Sequence, residues 1–201
     1  MCSEKILNKY YNESGCNRTR RIGYVMSMIR NLSPLTQREW RYWYLSNIHG
    51  PKYLHALAIH MCESIPDSQN ITVEECEKYI YDVMFRRTFN GYNKEKKLLR
   101  YLQKNVFFGI KESPAEWDSR YFVDFYAKGK SDNIVGIQVK PESFSKGKYE
   151  EMAEMERKVK DFKKDCGGEV VLLEYGKDYG ADGVVISNMS AIEKLRNMIR
   201  A

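Results

Sequence analysis

The spacing of apolar residues changes at Asn105, and this change constrains the fold more than any other feature of the sequence. Before Asn105 apolar and aromatic residues recur at helical spacing, and Thr36 and Thr72, each followed three residues later by Glu, mark two helix starts. After Asn105 the apolar residues form short runs of β-branched and aromatic types, which are typical of strands. The predicted strands are residues 106–110, 121–127, 134–139 and 170–175. The sequence therefore predicts an α/β chain.

The order of the segments predicts one central sheet. Helices are expected from Thr72 to about Arg87, from about 93 to 103, and across the charged segment 146–164, where Met and Phe recur at helical spacing. The order is thus helix, three strands, helix, strand, followed by a strand at 183–187 and a short helix. Because no repeat or linker separates the halves, we expect a single domain in which the helical half packs on the sheet.

Composition limits the functional classes. The chain has 201 residues, 43% of them hydrophobic and 30% charged, and no apolar stretch approaches the roughly 20 residues that a membrane helix needs. The first residues lack an apolar segment behind a basic flank, so we expect a cytoplasmic protein with no membrane partner. The five cysteines are widely spaced and include no C-x-x-C pair, which predicts reduced thiols and no zinc site.

Positive charge is concentrated at the start of the chain. Residues 1–60 hold nine Lys and Arg against three Asp and Glu, which equals the whole net charge of +6. Such asymmetry favours a polyanionic partner such as DNA, although a basic solvated surface has the same pattern. The residues predicted to contact phosphates are Arg18, Arg20, Arg21, Arg30 and Lys52.

Asp124 is the only charged residue in the apolar segment 121–127. An unpaired carboxylate is costly in such surroundings, so it needs either a partner or a function. On the next predicted strand, the two-residue period places Gln138 and Lys140 on the same face. If the two strands form a hairpin, Asp124 lies beside Gln138 and Lys140.

A carboxylate, an amide oxygen and a lysine at strand ends suit metal-assisted hydrolysis of a phosphodiester. Mg²⁺ prefers oxygen ligands, neutralises charge on the phosphate and lowers the pKa of a bound water. A lysine can hold the attacking water and the phosphate as a point charge. A structural alternative stays open, in which Asp124 pairs with Arg120 while Gln138 and Lys140 lie at the sheet surface.

Asp124, the triplet Gln138-Val139-Lys140 and the order of segments resemble the PD-(D/E)xK nuclease superfamily over residues 88–175. The resemblance implies a mixed central sheet with an αβββαβ nuclease core, in which these residues are catalytic and Asp124 and Gln138 bind the metal. Two departures are present: Val123 stands where the motif has proline, and Gln138 replaces the second acid. The glutamine removes one negative charge but keeps a carbonyl oxygen that can bind a cation.

A narrower resemblance extends over the whole chain. The helical first half, Gly91-Tyr92 followed by Glu95, and the segment 138–141 are similar to MjaI-like type II restriction endonucleases. Superfamily members commonly supply another acid from the helix ahead of the sheet, which implies that Glu95 is a catalytic residue and an auxiliary metal ligand. The alternative for Glu95 is a solvated helix surface among neighbouring lysines.

The resemblance implies cleavage of double-stranded DNA with Mg²⁺, for which Mn²⁺ can substitute, at a short palindrome such as CTAG. An enzyme that cuts both DNA strands at a two-fold symmetric sequence needs two active sites, which implies a homodimer. A cognate DNA methyltransferase is expected in the same system, though not as a stable partner. Within the single domain 1–201, residues 1–87 are expected to bind DNA and dimerise, 88–175 to form the catalytic core and 176–201 to add a strand and a helix.

Two other functions remain open at this stage. A repair or junction-resolving nuclease would share the same centre and would cut branched DNA. A non-catalytic nucleic-acid-binding module would use the basic helices and keep Asp124, Gln138 and Lys140 only as a hydrogen-bonded cluster.

Overall fold

The computed structural model describes residues 3–130, 133–142, 149–176 and 185–199. The chain divides into two compact units, Met1–Asn93 and Lys94–Ala201, and each is described by itself.

The first unit is helical, as the sequence predicts. Its helices are α1 (Ser3–Glu13), α2 (Thr19–Ile22), α3 (Val25–Leu32), α4 (Gln37–Asn47), α5 (Pro51–Glu63) and α6 (Val73–Tyr81), with a 3₁₀ turn at Asp67–Gln69. The Thr36 hydroxyl accepts a hydrogen bond from the Glu39 amide at the start of α4. A full capping box, in which Thr72 and Glu75 each bond the other's backbone, opens α6. Both predicted helix starts are confirmed.

Helix α6 continues without a break into α7 (Thr88–Asn105) through a π-helical turn at Asp82–Arg87. The predicted gap before residue 93 is therefore wrong. Side-chain bonds hold the π-helical turn. The Thr88 hydroxyl donates to the Val83 carbonyl five residues earlier, and Arg87 pairs with Asp82. These side-chain bonds stabilise a helical path across Asn90 and Gly91, which are weak helix formers.

The core of the first unit forms around the aromatic face of α4. Trp40 and Tyr44 are fully buried, and Trp43 packs against them. Their polar atoms are satisfied, because the Trp40 indole donates to the Met84 carbonyl at 2.9 Å and the Tyr44 hydroxyl donates to the Ile22 carbonyl at 3.0 Å. The aromatic face of α4 is therefore part of the core of the first unit.

The second unit carries a four-stranded mixed sheet in the order β1-β2-β3-β4, which confirms the predicted α/β class. β1 pairs with β2 and β2 with β3 in antiparallel fashion, and β4 runs parallel to β3. The elements are β1 (Lys111–Glu112), α8 (Ala115–Tyr121), β2 (Phe125–Lys128), β3 (Ile134–Pro141), α9 (Tyr149–Cys166), β4 (Glu169–Tyr175) and α10 (Met189–Ile199). A helix that the sequence did not predict, α8, thus lies between the first two strands.

Two of the predicted strands are misplaced. Residues 106–110 form a turn after α7, in which the Phe107 amide bonds back to Leu102 and the Ile110 amide to Phe107. Val106 and Ile110 are buried, so the apolar run reflects burial of a loop rather than an extended strand. In the segment 121–127, Tyr121 ends α8 and the strand begins only at Phe125.

The end of the chain is partly described. Of the predicted strand 183–187, residues 183 and 184 lie outside the described residues, and Ile186 forms an isolated antiparallel bridge with Tyr175. No helix in the described ranges is long and apolar enough to cross a membrane. Cys16, Cys62, Cys76 and Cys166 are free thiols.

Candidate active site

The two faces of β3 have different surroundings. Val135, Ile137 and Val139 point into an apolar core that also contains residues of α7, β4 and α10. Side chains alternate along a strand, so Gln138 and Lys140 point to the other face, towards α8 and α9. Gln138 lines a cavity of about 300 Å³ there, together with apolar side chains of α9 and β4. The predicted shared face of Gln138 and Lys140 is therefore present.

Asp124 directly precedes β2 and is locked to β3 by three hydrogen bonds. Its amide donates to the Ile137 carbonyl at 3.0 Å, which extends the antiparallel pairing of β2 and β3. Its Oδ2 atom accepts from the Val139 amide at 2.8 Å and from the Gln138 side-chain amide at 2.6 Å. Asp124 is only 7% exposed. The hairpin and the contact between Asp124 and Gln138 are as the sequence predicts.

The pKa of Asp124 is raised from its ordinary value to about 7, and burial is the largest cause. The carboxylates of Asp118 and Glu95 also raise it, whereas the Val139 amide and the charge of Lys140 lower it, and the value of about 7 is the net result. Two more acids and a lysine therefore act on the Asp124 carboxylate. A carboxyl group whose pKa is raised by burial and by like charges is typical of functional sites.

The structural alternative for Asp124 is wrong. Arg120 donates to the Asp165 carboxylate at 2.7 Å, and that pair is largely exposed to solvent. Asp124 instead accepts hydrogen bonds from the Val139 amide and the Gln138 side chain of β3, and the positive charge of Lys140 favours its ionised form.

The Oε1 atom of Gln138 is buried and accepts no hydrogen bond from any described residue. Gln138 is 1% exposed, and a buried acceptor without a partner costs free energy. Because the amide nitrogen bonds Asp124, the hydrogen-bond network assigns the oxygen to the other side of the amide. An amide oxygen without a hydrogen-bond donor and a carboxylate are both oxygen ligands that suit a hard cation.

The described residues contain no group of three or more His, Cys, Asp and Glu side chains that could hold a metal ion by itself. A cation at Asp124 would therefore also draw on the Gln138 oxygen and on water. That donor set fits Mg²⁺, which keeps several waters and commonly binds proteins through one or two carboxylates.

Lys140 is half-buried near the same centre. Its ammonium group lies 5.3 Å from the centre of the Phe122 ring, and its charge stabilises ionised Asp124. Phe122 ends α8 in a left-handed conformation with a φ of 55°, which is uncommon for a residue with a side chain. This backbone turn leads from α8 directly into Val123 and Asp124.

Of the two additional acids, the sequence identified Glu95 and missed Asp118. Glu95 is half-buried in α7 and, as its effect on Asp124 shows, acts on the centre rather than only on solvent. Asp118 lies on α8, a seven-residue helix that starts after Pro114 without a side-chain cap. Its only signal in the sequence was Pro114, which commonly precedes or opens a helix.

The predicted phosphate contacts all lie in the first unit. Arg18 precedes α2, Arg20 and Arg21 belong to it, Arg30 is in the last turn of α3, and Lys52 is in the first turn of α5. Arg18, Arg20 and Lys52 are exposed, and within the described part of the chain none of them has a carboxylate at ion-pair distance. These charges are therefore available for an anionic partner.

The raised pKa of Asp124 makes a prediction about stability. We expect the metal-free protein to lose stability as the pH rises from about 4 to about 7, because folded Asp124 keeps a proton that the unfolded chain releases near 3.8. This contribution is complete below the unfolded pKa and is lost as the pH passes the folded pKa. Urea unfolding in EDTA across this range should show a shallower pH dependence for Asp124→Asn. Equal dependences would mean that Asp124 ionises like an exposed aspartate.

Comparison with known proteins gives one family. The model of the MjaI restriction endonuclease family matches residues 4–185, which includes Glu95, Asp124, Gln138 and Lys140. Neither the curated proteins nor the solved structures gave a match.

Proposed function

The chain belongs to the MjaI restriction endonuclease family, and from this premise we propose that it is a Mg²⁺-dependent type II enzyme that cuts double-stranded DNA at a short palindromic sequence. The observation that carries the proposal is the buried pair of Asp124 and Gln138, in which the Gln138 amide oxygen accepts no hydrogen bond from any described residue. CTAG is the sequence that the family resemblance implies.

We propose that the second unit contains an αβββαβ nuclease core. It would consist of α7, the strands β1, β2 and β3, then α9 and β4, with α8 inserted after β1. The inserted helix α8 would contribute to the site, because it brings Asp118 towards Asp124 and ends at the Phe122 turn. Residues 1–87 would then serve DNA binding and dimerisation, and residues 176–201 would complete the core.

In this proposal Asp124 and the Gln138 oxygen hold Mg²⁺, with Glu95 as an auxiliary ligand and Mn²⁺ as a possible replacement. When bound, the ion supplies charge neutralisation at the phosphate and a water of lowered pKa. Asp124 must be ionised to bind a cation, so metal affinity should increase as the pH rises towards 7.

The protein's own residues would perform the remaining steps. Lys140 would donate hydrogen bonds to the attacking water and to a non-bridging oxygen of the scissile phosphate, where negative charge increases in the transition state. The three bonds that fix Asp124 to β3 keep the carboxylate and Gln138 in place before substrate arrives. Preorganisation of this kind avoids reorganisation during the reaction.

DNA binding would rest on the basic residues of the first unit, with Arg18, Arg20, Arg21, Arg30 and Lys52 contacting phosphates. These contacts carry affinity but no sequence information. Cleavage of both strands within a palindrome requires two centres related by two-fold symmetry, so the active form would be a homodimer. A cognate methyltransferase would protect the host sequence without forming a stable complex.

Reversing the charge of Arg20 and Arg21 together should flatten the plot of log K against log salt. The slope should fall by about 2, at roughly 0.9 for each lost phosphate contact on duplex DNA. Fluorescence anisotropy with a duplex oligonucleotide at several salt concentrations measures the slope. Reversal of Lys163 and Lys164, an adjacent exposed pair on α9, is the matched control. If both double variants keep the wild-type slope, the phosphate contacts lie elsewhere.

The proposed activity is tested by incubating purified protein with supercoiled plasmid, first with Mg²⁺ and then with Mg²⁺ and excess EDTA. Linear products in the first reaction and intact plasmid in the second are expected. Size-exclusion chromatography with light scattering tests the dimer, which should have twice the mass of the 23.7 kDa chain. Cleavage that persists in EDTA would contradict the metal-dependent mechanism.

A further inference from the structure

The stretch between Glu13 and Glu63 is almost free of negative charge. Its single carboxylate belongs to Glu39 and accepts a hydrogen bond from the Leu35 amide at 2.7 Å, at the start of α4. Its cations are Arg18, Arg20, Arg21, Arg30, Arg38, Arg41 and Lys52. A surface rich in arginine and poor in carboxylates is complementary in charge to DNA. Two of these cations, Arg38 and Arg41, lie on α4 and are not among the predicted phosphate contacts.

The buried side of α4 fixes which residues point outwards. Trp40 and Tyr44 have no exposed surface, and both bond backbone carbonyls of the first unit. With about 3.6 residues per turn, Arg38 and Tyr42 lie on the opposite side of the helix. The Tyr44 hydroxyl bonds Ile22 at the end of α2, so the packed core that orients α4 also holds the arginine-bearing α2.

The outer surface of α4 consists of Arg38 and Tyr42, with Leu35 just before the helix. Tyr42 is 75% exposed and Leu35 is 85% exposed. Arg38 is exposed too, and none of the described residues places a carboxylate at ion-pair distance from it. Arg38 and Tyr42 are four residues apart and therefore neighbours on one face. This surface presents a guanidinium, an aromatic ring and an aliphatic side chain to solvent.

The flank of α4 that faces α6 is different. Arg41 lies over the rings of Tyr81 and Phe85, at 5.0 and 5.8 Å from their centres. It lines a groove of about 610 Å³ whose walls carry both signs of charge. The charged groups beside Arg41 are Glu74, Glu77, Lys78, Asp82 and Arg86. Mixed charge gives little net attraction for phosphates, so the outer surface of α4 is the better match for DNA.

The outer side chains of α4 suit the edges of base pairs in the major groove. That groove is about 12 Å wide and admits an α-helix. The fork of an arginine bonds O6 and N7 of guanine, whereas apolar side chains contact the methyl group of thymine. In CTAG, the sequence that the family resemblance implies, each half-site has one G·C pair and one T·A pair. One copy of α4 per half-site would therefore meet a partner for Arg38 and one for its apolar neighbours.

We propose that α4 is the base-reading helix of this protein, which enters the major groove and directs Arg38 to a guanine, with Leu35 and Tyr42 in apolar contact beside it. The inference rests on the proposed DNA-cutting function and adds sequence recognition to it. The phosphate contacts of the first unit would set the position of α4 on the duplex, and Arg38 would discriminate between bases.

The test compares Arg38→Ala and Arg38→Lys with Arg20→Ala, an exposed arginine of α2 that is predicted to contact phosphate. Each protein is used to select duplexes with a randomised centre in EDTA, where binding is measured without cleavage. Both Arg38 variants should lose about tenfold or more of the preference at one base pair of each half-site, because lysine keeps the charge but lacks the fork. Arg20→Ala should keep the wild-type preference and flatten the slope of log K against log salt by about 0.9.

The outcomes separate base reading from other roles of α4. Wild-type preference in Arg38→Lys would mean that Arg38 contributes charge alone and would overturn the proposal, as would a wild-type protein that selects no sequence. If Tyr42→Ala becomes monomeric in light scattering and keeps the wild-type preference, the outer surface binds a second copy of the chain instead. A selected sequence that the wild-type protein fails to cut with Mg²⁺ would reject the nuclease function, and the Arg38 variants would still decide the role of α4.

A measurement on the wild-type protein keeps the proposal testable if a variant fails to fold. In a selected duplex, thymine is replaced by 5-iodouracil, whose iodine takes the place of the methyl group in the major groove. Ultraviolet irradiation followed by mass spectrometry should find a cross-link to Tyr42 or its neighbours on α4. Cross-links confined to α2, α3 or α5 would contradict base reading by α4.

Discussion

Replacing Lys140 by alanine should lower the single-turnover rate of DNA cleavage by a factor of about 10² to 10³, the usual loss for one transition-state donor. DNA affinity should stay within a few-fold of wild type, because Lys140 acts on charge that develops only during the reaction. Lys140 is half-buried and faces Phe122, so it adds little to the exposed surface that attracts DNA. Lys140→Ala is therefore expected to lose cleavage activity while it keeps its DNA affinity.

Two further variants make the Lys140 experiment specific. Lys111→Ala removes an exposed lysine from β1 in the same sheet and should cleave at the wild-type rate. Lys140→Arg keeps the charge but replaces a compact head by a planar fork, so it should recover only part of the activity. Cleavage by Lys140→Ala within threefold of wild type would mean that another group serves the phosphate.

Gln138 should control the metal requirement. Gln138→Leu removes the amide oxygen and the bond to Asp124, so the Mg²⁺ concentration for half-maximal cleavage should rise by about 10- to 100-fold, as expected for a partner at a metal site. Gln138→Glu supplies a carboxylate at nearly the same size, so this concentration should fall and Mn²⁺ should become less favoured relative to Mg²⁺. The cleavage rate need not increase together with the metal affinity, because the added negative charge opposes binding of the DNA phosphate.

The metal-free Gln138→Glu variant has a second measurable property. In the wild-type protein the Gln138 amide nitrogen donates to Asp124 at 2.6 Å. A glutamate at position 138 would place two carboxylates in contact. Like charges at this distance cannot both ionise, so the variant should be less stable than wild type in EDTA and should regain stability with Mg²⁺. Identical metal requirements in wild type and both variants would mean that Gln138 is not a ligand, and the metal site would have to be rebuilt around Asp124 and Glu95.

Much of the site could be predicted because its contacts are local. The period of two along β3 fixes Gln138 and Lys140 on one face, and an antiparallel hairpin brings the residue before β2 next to them. The cost of burying Asp124 among apolar neighbours identified it as a residue with a partner or a function. The capping pairs at Thr36 and Thr72 depend on residues three positions apart, and both helix starts were correct.

The parts that could not be predicted depend on tertiary packing. An apolar run such as residues 106–110 indicates burial, but it does not distinguish a buried turn from a strand. Asp118 lies on a helix of seven residues, and its approach to Asp124 is set by the turn at Phe122. Lys158 belongs to a densely charged helix, and only the packing of α9 shows that its side chain is largely covered.

Sequencing of fragment ends offers the most direct test of the proposed function. A large DNA free of methylation is incubated with the protein and Mg²⁺, and the ends of all fragments are sequenced. We expect every end to map to one short palindrome, with CTAG as the sequence that the family resemblance implies, and no fragments in EDTA. Ends scattered without a common sequence, or intact DNA at every Mg²⁺ concentration, would contradict a site-specific restriction endonuclease.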